Sequence, residues 1–459
     1  MPEADVDVLV LGAGSGGYSC ALRAAQLGLS VALVEKDKVG GTCLHVGCIP
    51  TKALLHAAEV ADETRAAGKV GVRATFEGVD VPAVLEYQQG VVSRLFKGLT
   101  GLVKGRGIEV VEGEGRLVGP RSVAVGDRVI TGRNLVLATG STTRTLPGIE
   151  PDGTRIITST EALAMDHVPG SALVLGGGVI GVEFASVWRS FGAEVTILEA
   201  LPRLVAAEDE ACSKALERAF RKRGIGFKVN TAVTGARAGD DGVEVTLADG
   251  TVLTADVLLV AVGRVPVTAG LGFEEQGITT DRGYVPADEK GRTGVEGVWA
   301  VGDIVPGLQL AHRGFAQGVL VAEEIAGLDP RPVPDSGIPR VTYCQPEVAS
   351  VGLTEAQAAQ QLGADAVRTL TYDLGGNGRS QILQTQGFVK LVADTDGQVL
   401  GVHMVGDRVG ELIGEAQLVV NWDAHADDVA PLVHAHPTQN EALGEAHLAL
   451  AGKPLHAHS

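Results

Sequence analysis

The sequence has few cysteines, few basic residues relative to acidic ones, and no long apolar run. Lys and Arg number 38 against 56 Asp and Glu, which gives a formal net charge of −18 at pH 7. Nucleic-acid binding is therefore not expected, because neutralising phosphates requires clustered Lys and Arg. No stretch approaches the roughly 18 uninterrupted apolar residues of a membrane span, so we expect no membrane association either.

The first residues, MPEADVDVLVLGAGSGG, contain no basic segment and no cleavage-like site, so a secretory signal is not expected. We therefore expect a cytoplasmic protein, in which structural disulfides are rare. Of the five cysteines, Cys43 and Cys48 stand together in GGTCLHVGCIPTK (Gly40–Lys52). In this compartment a close pair indicates redox chemistry or metal binding.

Glycine is abundant, with 63 residues, which suggests tight turns and close approaches of backbone to ligand. A length of 459 residues favours about three domains. A strand–glycine turn–helix–strand pattern occurs twice, as an internal repeat. The predicted elements are Val6–Leu11, Ser19–Leu27 and Val31–Val34 in the first copy, and Ala172–Leu175, Val179–Arg189 and Val195–Leu198 in the second.

The first copy carries a G-x-G-x-x-G motif, formed by Gly12, Gly14 and Gly17, with Glu35 placed 18 residues after Gly17. In this motif the first glycine permits a turn, the second lets the backbone approach a pyrophosphate, and the third lets helix and strand pack closely. The helix N-terminus adds free N–H groups and the positive end of its dipole. The position between a strand and a helix favours a dinucleotide site over a plain glycine turn.

The second copy repeats this pattern with Gly176, Gly178 and Gly181, and Glu199 again follows 18 residues later. An acidic residue at the end of the second strand favours a free ribose 2′-hydroxyl, hence NAD over NADP. Arg203 could meet a 2′-phosphate, but Glu199 would repel that group. We therefore interpret Arg203 as an ordinary surface arginine.

The two clustered cysteines can be joined only if their segment departs from a regular helix. Residues five apart in a helix have Cα atoms roughly 8–9 Å apart, whereas a disulfide needs about 4.4–6.8 Å. Gly47 and Pro50 suit such a distortion, and a helix N-terminus with Lys52 nearby should lower the thiol pKa. Zinc binding is a weaker interpretation, because no second cysteine pair supplies the usual ligands; coincidence ranks below it.

From about Ile338 the pattern changes. Two strand-rich stretches, RVTYCQPEVASVGLT and GFVKLVADTDGQVLGVHMVG, the second with an Asp-Gly turn, precede helical patterns at Glu411–Trp422 and Gln439–Leu450. These features predict a separate α+β domain.

The chain resembles the flavin-dependent pyridine nucleotide–disulfide oxidoreductases over essentially its whole length. The resemblance rests on GGTCLHVGCIPTK between the two glycine motifs, and on ATGS (Ala138–Ser141), AVGRVP (Ala261–Pro266), AVGD (Ala300–Asp303) and PEVASVGLTE (Pro346–Glu355). It implies an α/β fold with two Rossmann-like dinucleotide-binding domains and a C-terminal α+β dimerisation domain. The implied parts are an FAD-binding domain with the redox cysteine pair (1–150), an NAD-binding domain (151–275), a central segment completing the FAD site (276–337) and the dimerisation domain (338–459).

The resemblance also implies FAD on the first copy, NAD on the second, and no metal. Asp303 should bind the flavin ribityl chain, while Lys52, paired with Glu183, should lie near flavin N5. The implied FAD-site residues are Gly12, Gly14, Gly17, Glu35, Lys52, Gly115, Thr139, Gly140, Asp303, Ala311 and His312. The implied NAD-site residues are Gly176, Gly178, Ile180, Gly181, Glu199, Gly263 and Arg264.

The segment HAHPTQNEALGEA (His434–Ala446) is similar to that of family members that oxidise dihydrolipoamide. The similarity implies that His436 is a general base oriented by Glu441, that dihydrolipoamide attacks Cys43, and that Cys48 lies beside the flavin and passes electrons on towards NAD. His436 would come from the partner subunit, so a homodimer is expected. The expected partners are lipoyl domains of 2-oxoacid dehydrogenase complexes or a lipoyl carrier protein.

Three other functions stay open. An NADPH-dependent reductase of glutathione or mycothiol disulfide would want basic residues near Glu199. Mercuric reductases usually carry a C-terminal cysteine pair, which this sequence does not have. A non-catalytic flavoprotein would be expected to have lost Cys43, Cys48 or His436.

The chain also departs from the usual family residues without losing a group that the chemistry needs. Its departures are His45 for Asn, Val267 for Asn, Gln309 for Met, and Gln439–Asn440 for Leu-Ser.

Overall fold

A computed structural model describes residues 4–332 and 334–456. The strands are β1 Val6–Leu11, β2 Val31–Glu35, β3 Glu109–Glu112, β4 Gly115–Gly119, β5 Ser122–Val125, β6 Arg128–Leu137, β7 Ser141–Thr143, β8 Ile156–Ile157, β9 Ser171–Leu175, β10 Glu194–Leu198, β11 Gly226–Lys228, β12 Val233–Gly239, β13 Gly242–Leu247, β14 Val252–Ala255, β15 Val257–Val260, β16 Arg264–Pro266, β17 Val298–Ala300, β18 Arg340–Thr342, β19 Glu347–Gly352, β20 Val367–Asp373, β21 Phe388–Asp394 and β22 Val399–Gly406.

The α-helices are α1 Ser15–Gln26, α2 Gly41–His45, α3 Cys48–Ala66, α4 Val81–Gly105, α5 Ser159–Ala162, α6 Val179–Phe191, α7 Glu210–Arg223, α8 Ala311–Ile325, α9 Glu355–Leu362, α10 Gly378–Leu383, α11 Val409–Asn421, α12 Ala426–Val429 and α13 Glu441–Leu450. Short 3-10 turns lie at Ala67–Val70, Glu274–Gln276, Gly302–Ile304, Asp335–Gly337, Ala364–Ala366 and Leu374–Gly376.

The chain divides into two compact units. The first comprises Met1–Leu54, Asp80–Arg144 and Gly263–Asp335, and the second comprises Leu55–Val79, Thr145–Val262 and Ser336–Ser459. The first unit is built on a sheet in the order β3-β2-β1-β6-β5-β4, with β17 also paired to β6. Strands β3, β2, β1, β6 and β17 run parallel, whereas β4, β5 and β6 form an antiparallel meander.

Strand β1 explains the layering of the first unit. Leu9 and Leu11 belong to one buried cluster, while Val8 and Val10 belong to another that includes Ala21 of α1. Because successive side chains of a strand point to opposite faces, an uninterrupted apolar strand is covered on both sides. The run read from the sequence as a buried parallel strand therefore has that structure.

The second unit contains a parallel sheet and two antiparallel ones. The parallel sheet has the order β11-β10-β9-β15-β8, and a three-stranded antiparallel sheet has the order β12-β13-β14. Its five-stranded antiparallel sheet, β18-β19-β22-β21-β20, packs on α11 and α13 through a shared apolar cluster. The expected α/β fold, with two Rossmann-like sheets and a C-terminal α+β region, is confirmed, while the predicted domain boundaries stay a prediction.

No helix in residues 4–332 and 334–456 is both long and apolar enough to cross a membrane.

Candidate active site

The first glycine loop joins β1 to α1 with very little space between them. Gly12 has φ +99°, and a Cβ on it would lie 2.4 Å from the Ala138 carbonyl oxygen. A Cβ on Gly17 would lie 1.8 Å from the Gly12 carbonyl oxygen, so any side chain there would push the helix off the strand. At Gly14 a Cβ would meet nothing within 4 Å, which leaves open space at the helix start. This geometry fits the pyrophosphate of FAD.

Glu35 is the last residue of β2, and its carboxylate accepts a backbone hydrogen bond from the same glycine loop. One of its carboxylate oxygens accepts the N–H of Ala13 at 2.7 Å, and the other accepts the N–H of Asp37 at 2.9 Å. A cavity of about 470 Å³ opens beside Glu35, lined also by Lys38, Phe96 and Glu112. A carboxylate lining such a cavity fits the ribose and adenine end of FAD.

The cysteine segment is not one regular helix. Helix α2 ends at His45 and α3 begins at Cys48. Gly47 lies in the break, and a Cβ there would lie 2.9 Å from the Thr42 carbonyl oxygen. The predicted distortion is therefore present, and Gly47 allows it.

The start of the cysteine segment packs directly on the first glycine loop. Gly40, with φ +111°, donates its N–H to the Ala13 carbonyl at 2.8 Å. Gly41 has φ +57°, and a Cβ on it would lie 2.7 Å from the Gly14 Cα atom. The pair of glycines thus joins the two cysteines to the loop that fits FAD.

The prediction that a thiol near the helix N-terminus and Lys52 has a lowered pKa does not hold for Cys43. A hydrogen bond with the Cys48 sulfur, followed by burial and by negative charge on Cys48, raises the pKa of Cys43. Lys52 and the Cys48 N–H act in the lowering direction but are outweighed. In the reduced pair the Cys43 thiol is therefore hard to ionise, and Cys48 is its hydrogen-bond partner at the N-terminus of α3.

His45 ties the cysteine segment to its surroundings. Its Nε2 lies 3.0 Å from the Val39 carbonyl oxygen, and its ring meets Phe96 of α4 edge-on, with centroids 5.0 Å apart. This departure from the usual Asn therefore has a structural explanation, because the ring fills a site that an amide would not.

A polar chain in the first unit links Arg264 to Asp303. Arg264 donates to Ser141 twice, from Nε to Oγ at 2.7 Å and from Nη2 to the backbone carbonyl at 2.6 Å. Ser141 in turn donates its hydroxyl to Asp303. Burial lowers the pKa of Arg264, while Asp303 and Cys48 act in the raising direction. The structure therefore brings Arg264 near the flavin-side carboxylate, and its contact with NAD stays a prediction.

The remaining residues expected at FAD also lie in the first unit. Thr139 donates its hydroxyl to the Val267 carbonyl at 2.5 Å, and Gly140 has φ +72° with open space around it. Ala311 and His312 form the first turn of α8. At Gly115 a Cβ would meet the Leu11 side chain at 2.6 Å, so packing alone requires glycine there.

The second glycine loop reproduces the first in the second unit. Gly176 has φ +110°, a Cβ on Gly181 would lie 1.9 Å from the Gly176 carbonyl oxygen, and Gly178 is surrounded by open space. Glu199 accepts the Gly177 N–H at 2.5 Å and the Leu201 N–H at 2.7 Å. The repeat thus extends to the hydrogen bonds of the strand-end glutamate. These residues fit NAD.

The structure also describes Ile180 and Gly263 of the predicted NAD site, and the nearby Arg203. Ile180 is half-buried in the first turn of α6, and Gly263, with φ +107°, lies in the first unit with open space around it. Arg203 is half-buried and donates to the carbonyls of Ala206 and Glu208, so its description as an ordinary surface arginine is wrong.

Glu183 lies on α6 and is 2% exposed. One carboxylate oxygen accepts the backbone N–H of Tyr343 at 2.9 Å. Lys52 belongs to the first unit and Glu183 to the second. Their pairing stays a prediction.

His436 and Glu441 form the predicted histidine–carboxylate pair. His436 Nδ1 lies 2.8 Å from Glu441 Oε1, and the second carboxylate oxygen accepts the Thr438 N–H at 2.8 Å. Burial acts to raise the pKa of Glu441, but the Thr438 N–H and His436 lower it on balance. The His436 side chain is 77% exposed, which leaves its Nε2 edge accessible to a thiol from outside this chain.

Comparisons with known proteins agree with this geometry. Residues 6–318 match the model of the pyridine nucleotide-disulphide oxidoreductase family, and residues 338–447 match the dimerisation domain of the same family. The chain belongs to the pyridine nucleotide-disulphide oxidoreductase family.

The relatives in this family cover nearly the whole chain. A dihydrolipoyl dehydrogenase of Bacillus subtilis is 40% identical over 98% of this chain and 99% of its own length. Among solved structures, LpdA from Mycobacterium tuberculosis has a TM-score of 0.90 at 27% identity, covering 97% of this chain and 100% of that one. The flavoprotein disulfide reductase RclA from Escherichia coli has a TM-score of 0.86 at 28% identity, covering 96% and 99%.

This oxidoreductase family, in its dihydrolipoyl dehydrogenase type, uses FAD and NAD(H) as cofactors.

Three side chains near His436 were not predicted from the sequence as site residues: His434, Glu415 and Asn440. His434 is two positions before His436, and that spacing was the one available signal. Glu415 lies on α11, so only the folded structure shows that it meets His434 at 2.8 Å.

Proposed function

We propose that this protein is a dihydrolipoyl dehydrogenase, which oxidises dihydrolipoamide to lipoamide with electrons passing through Cys43 and Cys48 and FAD to NAD. The observation that carries the proposal is the broken helix after His45, which puts both sulfurs in hydrogen-bond contact beside the glycine loop that fits FAD. Relatives named dihydrolipoyl dehydrogenase, 40% identical over 98% of this chain, support the choice of substrate.

The substrate chemistry follows from the two thiols and one base. A substrate thiolate attacks Cys43 of the oxidised pair, which forms a mixed disulfide and releases Cys48 as a thiolate. His436 takes the proton of the second substrate thiol. The resulting thiolate attacks the substrate sulfur of the mixed disulfide, so that lipoamide leaves, the bond to Cys43 breaks, and the Cys43 sulfur takes the proton from His436. The substrate loses two electrons and the cysteine pair gains them.

The residues around the pair suit the later transfer. FAD, when bound, supplies the two-electron acceptor between the thiols and NAD. Two cations act on the pair, Lys52 on Cys43 and Arg264 on Cys48, and they would stabilise the thiolate that the disulfide exchange releases. Lys52 paired with Glu183 would then adjoin the flavin, and Asp303 would bind its ribityl chain.

The proposed enzyme acts as a homodimer in the cytoplasm and receives its substrate from lipoyl domains of 2-oxoacid dehydrogenase complexes or from a lipoyl carrier protein. Residues 338–447 match the family's dimerisation domain. Val433 is 97% exposed and Leu432 is 60% exposed, immediately before the segment that carries His436. A partner subunit covering these apolar side chains would bring His436 to the other subunit's cysteine pair.

The test is steady-state turnover of the holoprotein with dihydrolipoamide, comparing NAD with NADP as acceptor. We expect NADH formation and little activity with NADP, because Glu199 would meet a 2′-phosphate with like charge. Oxidised glutathione with NADPH, in place of dihydrolipoamide with NAD, is the arm that tests for a small-disulfide reductase. Preference for NADP, or no turnover of dihydrolipoamide, would contradict the proposal.

Mixed dimers test the shared site. Cys43→Ser and His436→Gln homodimers should each be inactive, but a dimer of one subunit of each kind keeps one site with an intact cysteine pair and an intact base. Co-expression with two different affinity tags isolates that mixed dimer. Restored activity supports a base from the partner subunit, whereas its absence contradicts that arrangement.

A further inference from the structure

Two histidines of one short segment of the second unit, residues 434–441, each pair with a glutamate. His436 pairs with Glu441 and is 77% exposed, whereas His434 pairs with Glu415 and is 11% exposed. One pair is thus presented to the outside and the other is enclosed. The enclosed pair takes no part in the proposed chemistry.

Glu415 holds the segment at two places. Its Oε1 lies 2.8 Å from His434 Nε2, and its Oε2 accepts a hydrogen bond from the Asn440 side chain. Glu415 lies on α11, which packs against the five-stranded sheet. A single carboxylate on a fixed helix therefore fastens both ends of the segment that carries His436.

Packing on α13 fixes the His434 ring as well. A Cβ on Gly444 would lie 2.4 Å from His434 Nδ1, so glycine is required for the ring to sit against this helix. Gln439 is 7% exposed and adds an attachment by donating its amide to the Asp407 carbonyl at 3.0 Å. The two departures from the usual Leu-Ser, Gln439 and Asn440, are therefore both attachments of this segment.

The charges favour an ion pair at Glu415. The hydrogen bond that His434 donates to Glu415 raises the pKa of His434 against the opposing effect of burial, and Glu441 acts in the same direction. Burial acts to raise the pKa of Glu415, but His434 and Asn440 lower it on balance. The third titratable neighbour, His447 of α13, is fully buried, and burial lowers its pKa, so it stays neutral.

We propose that Glu415 is a positioning residue for the base: through His434 and Asn440 it holds the segment 434–440 so that His436 stays aligned with Glu441 and with the incoming thiol. This inference rests on the proposed role of His436. Glu415 touches neither substrate nor cofactor in this account and acts only through the segment that it fastens.

The test compares the two half-reactions in Glu415→Gln holoprotein. Misplacing a base by about 1 Å costs up to about 100-fold in rate, so we expect flavin reduction by dihydrolipoamide to slow by about tenfold or more. Flavin reduction by NADH should stay within about twofold of wild type, since it does not use the base. Glu411→Gln, an exposed change one turn earlier on α11, is the matched control and should leave both rates unchanged.

A double variant separates positioning from general damage. In the His436→Gln background, adding Glu415→Gln should slow the dihydrolipoamide reaction no further, because the group being positioned is already gone. Multiplied losses in the double variant, or equal losses in both half-reactions of Glu415→Gln, would overturn the inference. An unchanged dihydrolipoamide rate in Glu415→Gln would do so as well.

Two outcomes keep this inference apart from the proposed function. If His436→Gln leaves the dihydrolipoamide rate intact, the proposed base is wrong; if only Glu415→Gln leaves it intact, the positioning role is wrong. Should Glu415→Gln fail to fold, Asn440→Ala removes one of the two attachments, and we expect a smaller loss confined to the same half-reaction. A normal rate in Asn440→Ala would then count against the inference.

Discussion

Alanine at Gly178 and alanine at Gly181, both at the start of α6, should have different effects on stability and on cofactor binding. A Cβ on Gly181 would lie 1.9 Å from the Gly176 carbonyl oxygen, about 1 Å inside the closest normal approach. Helix α6 would have to move off β9, and such overpacking costs about 3 kcal/mol, more than the ~1 kcal/mol that alanine gains over glycine in a helix. Gly181→Ala should therefore lower the thermal unfolding temperature by several degrees.

Gly178 should behave in the opposite way. No protein atom lies within 4 Å of the position that a Cβ would take there, and its φ of −79° suits alanine, so stability should change by less than about 1 kcal/mol. Its methyl group would fill the space in which NAD phosphates approach the backbone, so we expect NADH affinity to fall by about tenfold or more, or about 1.4 kcal/mol. Thermal unfolding and NADH titration of both variants measure the difference.

The first repeat supplies the matched control. Gly14→Ala should weaken FAD retention without lowering NADH affinity, because Gly14 occupies in the first loop the position that Gly178 occupies in the second. Normal stability in Gly181→Ala, or normal NADH affinity in Gly178→Ala, would refute the assignment of separate roles to these glycines.

Three further changes have distinct expected results. Glu199→Gln removes the charge that opposes a 2′-phosphate, so the ratio of kcat/KM for NADH over NADPH should fall by about tenfold; an unchanged ratio would count against Glu199 as the discriminator. His45→Leu loses the hydrogen bond to the Val39 carbonyl, so the free energy of unfolding, measured by heat or denaturant, should fall by about 1–2 kcal/mol; an unchanged free energy of unfolding would show that the ring is dispensable. Because its pKa is raised, His434 contributes stability that is complete below pH 6.5 and is lost as the pH rises through its pKa in the folded protein. Because its pKa is lowered, Glu415 contributes stability that is complete above pH 4.5 and is lost as the pH falls through its pKa in the folded protein. The stability difference between wild type and Glu415→Gln should therefore be largest between those values; a constant difference across pH would show that no ion pair contributes.

Local patterns in the sequence predicted much of the fold. Strand β1 has the predicted bounds Val6–Leu11, because a strand covered on both faces reads as an unbroken apolar run. Helix α1 begins at Ser15, earlier than the predicted Ser19. Gly16 and Gly17 lie in its first turn, and glycines hide the helical periodicity even where close packing demands them.

The parts of the site that were not predicted depend on partners far apart in the chain. Arg264 bonds Ser141, and Glu415 bonds His434, and no spacing rule connects either pair. The pKa direction at Cys43 was missed for a related reason, since the sequence shows Lys52 nearby but does not show the hydrogen bond to Cys48. Sequence motifs therefore identify the reactive side chains, but only the folded structure shows which of them form hydrogen bonds or ion pairs with one another.

The central claim is that electrons from a dithiol reach the flavin only through Cys43 and Cys48. Anaerobic mixing of the holoprotein with dihydrolipoamide, and separately with NADH, tests it by following the flavin absorbance in wild type and in Cys43→Ser. We predict that dihydrolipoamide reduces the flavin in wild type alone, while NADH reduces it in both proteins. Flavin reduction by dihydrolipoamide at the wild-type rate in Cys43→Ser would contradict the account.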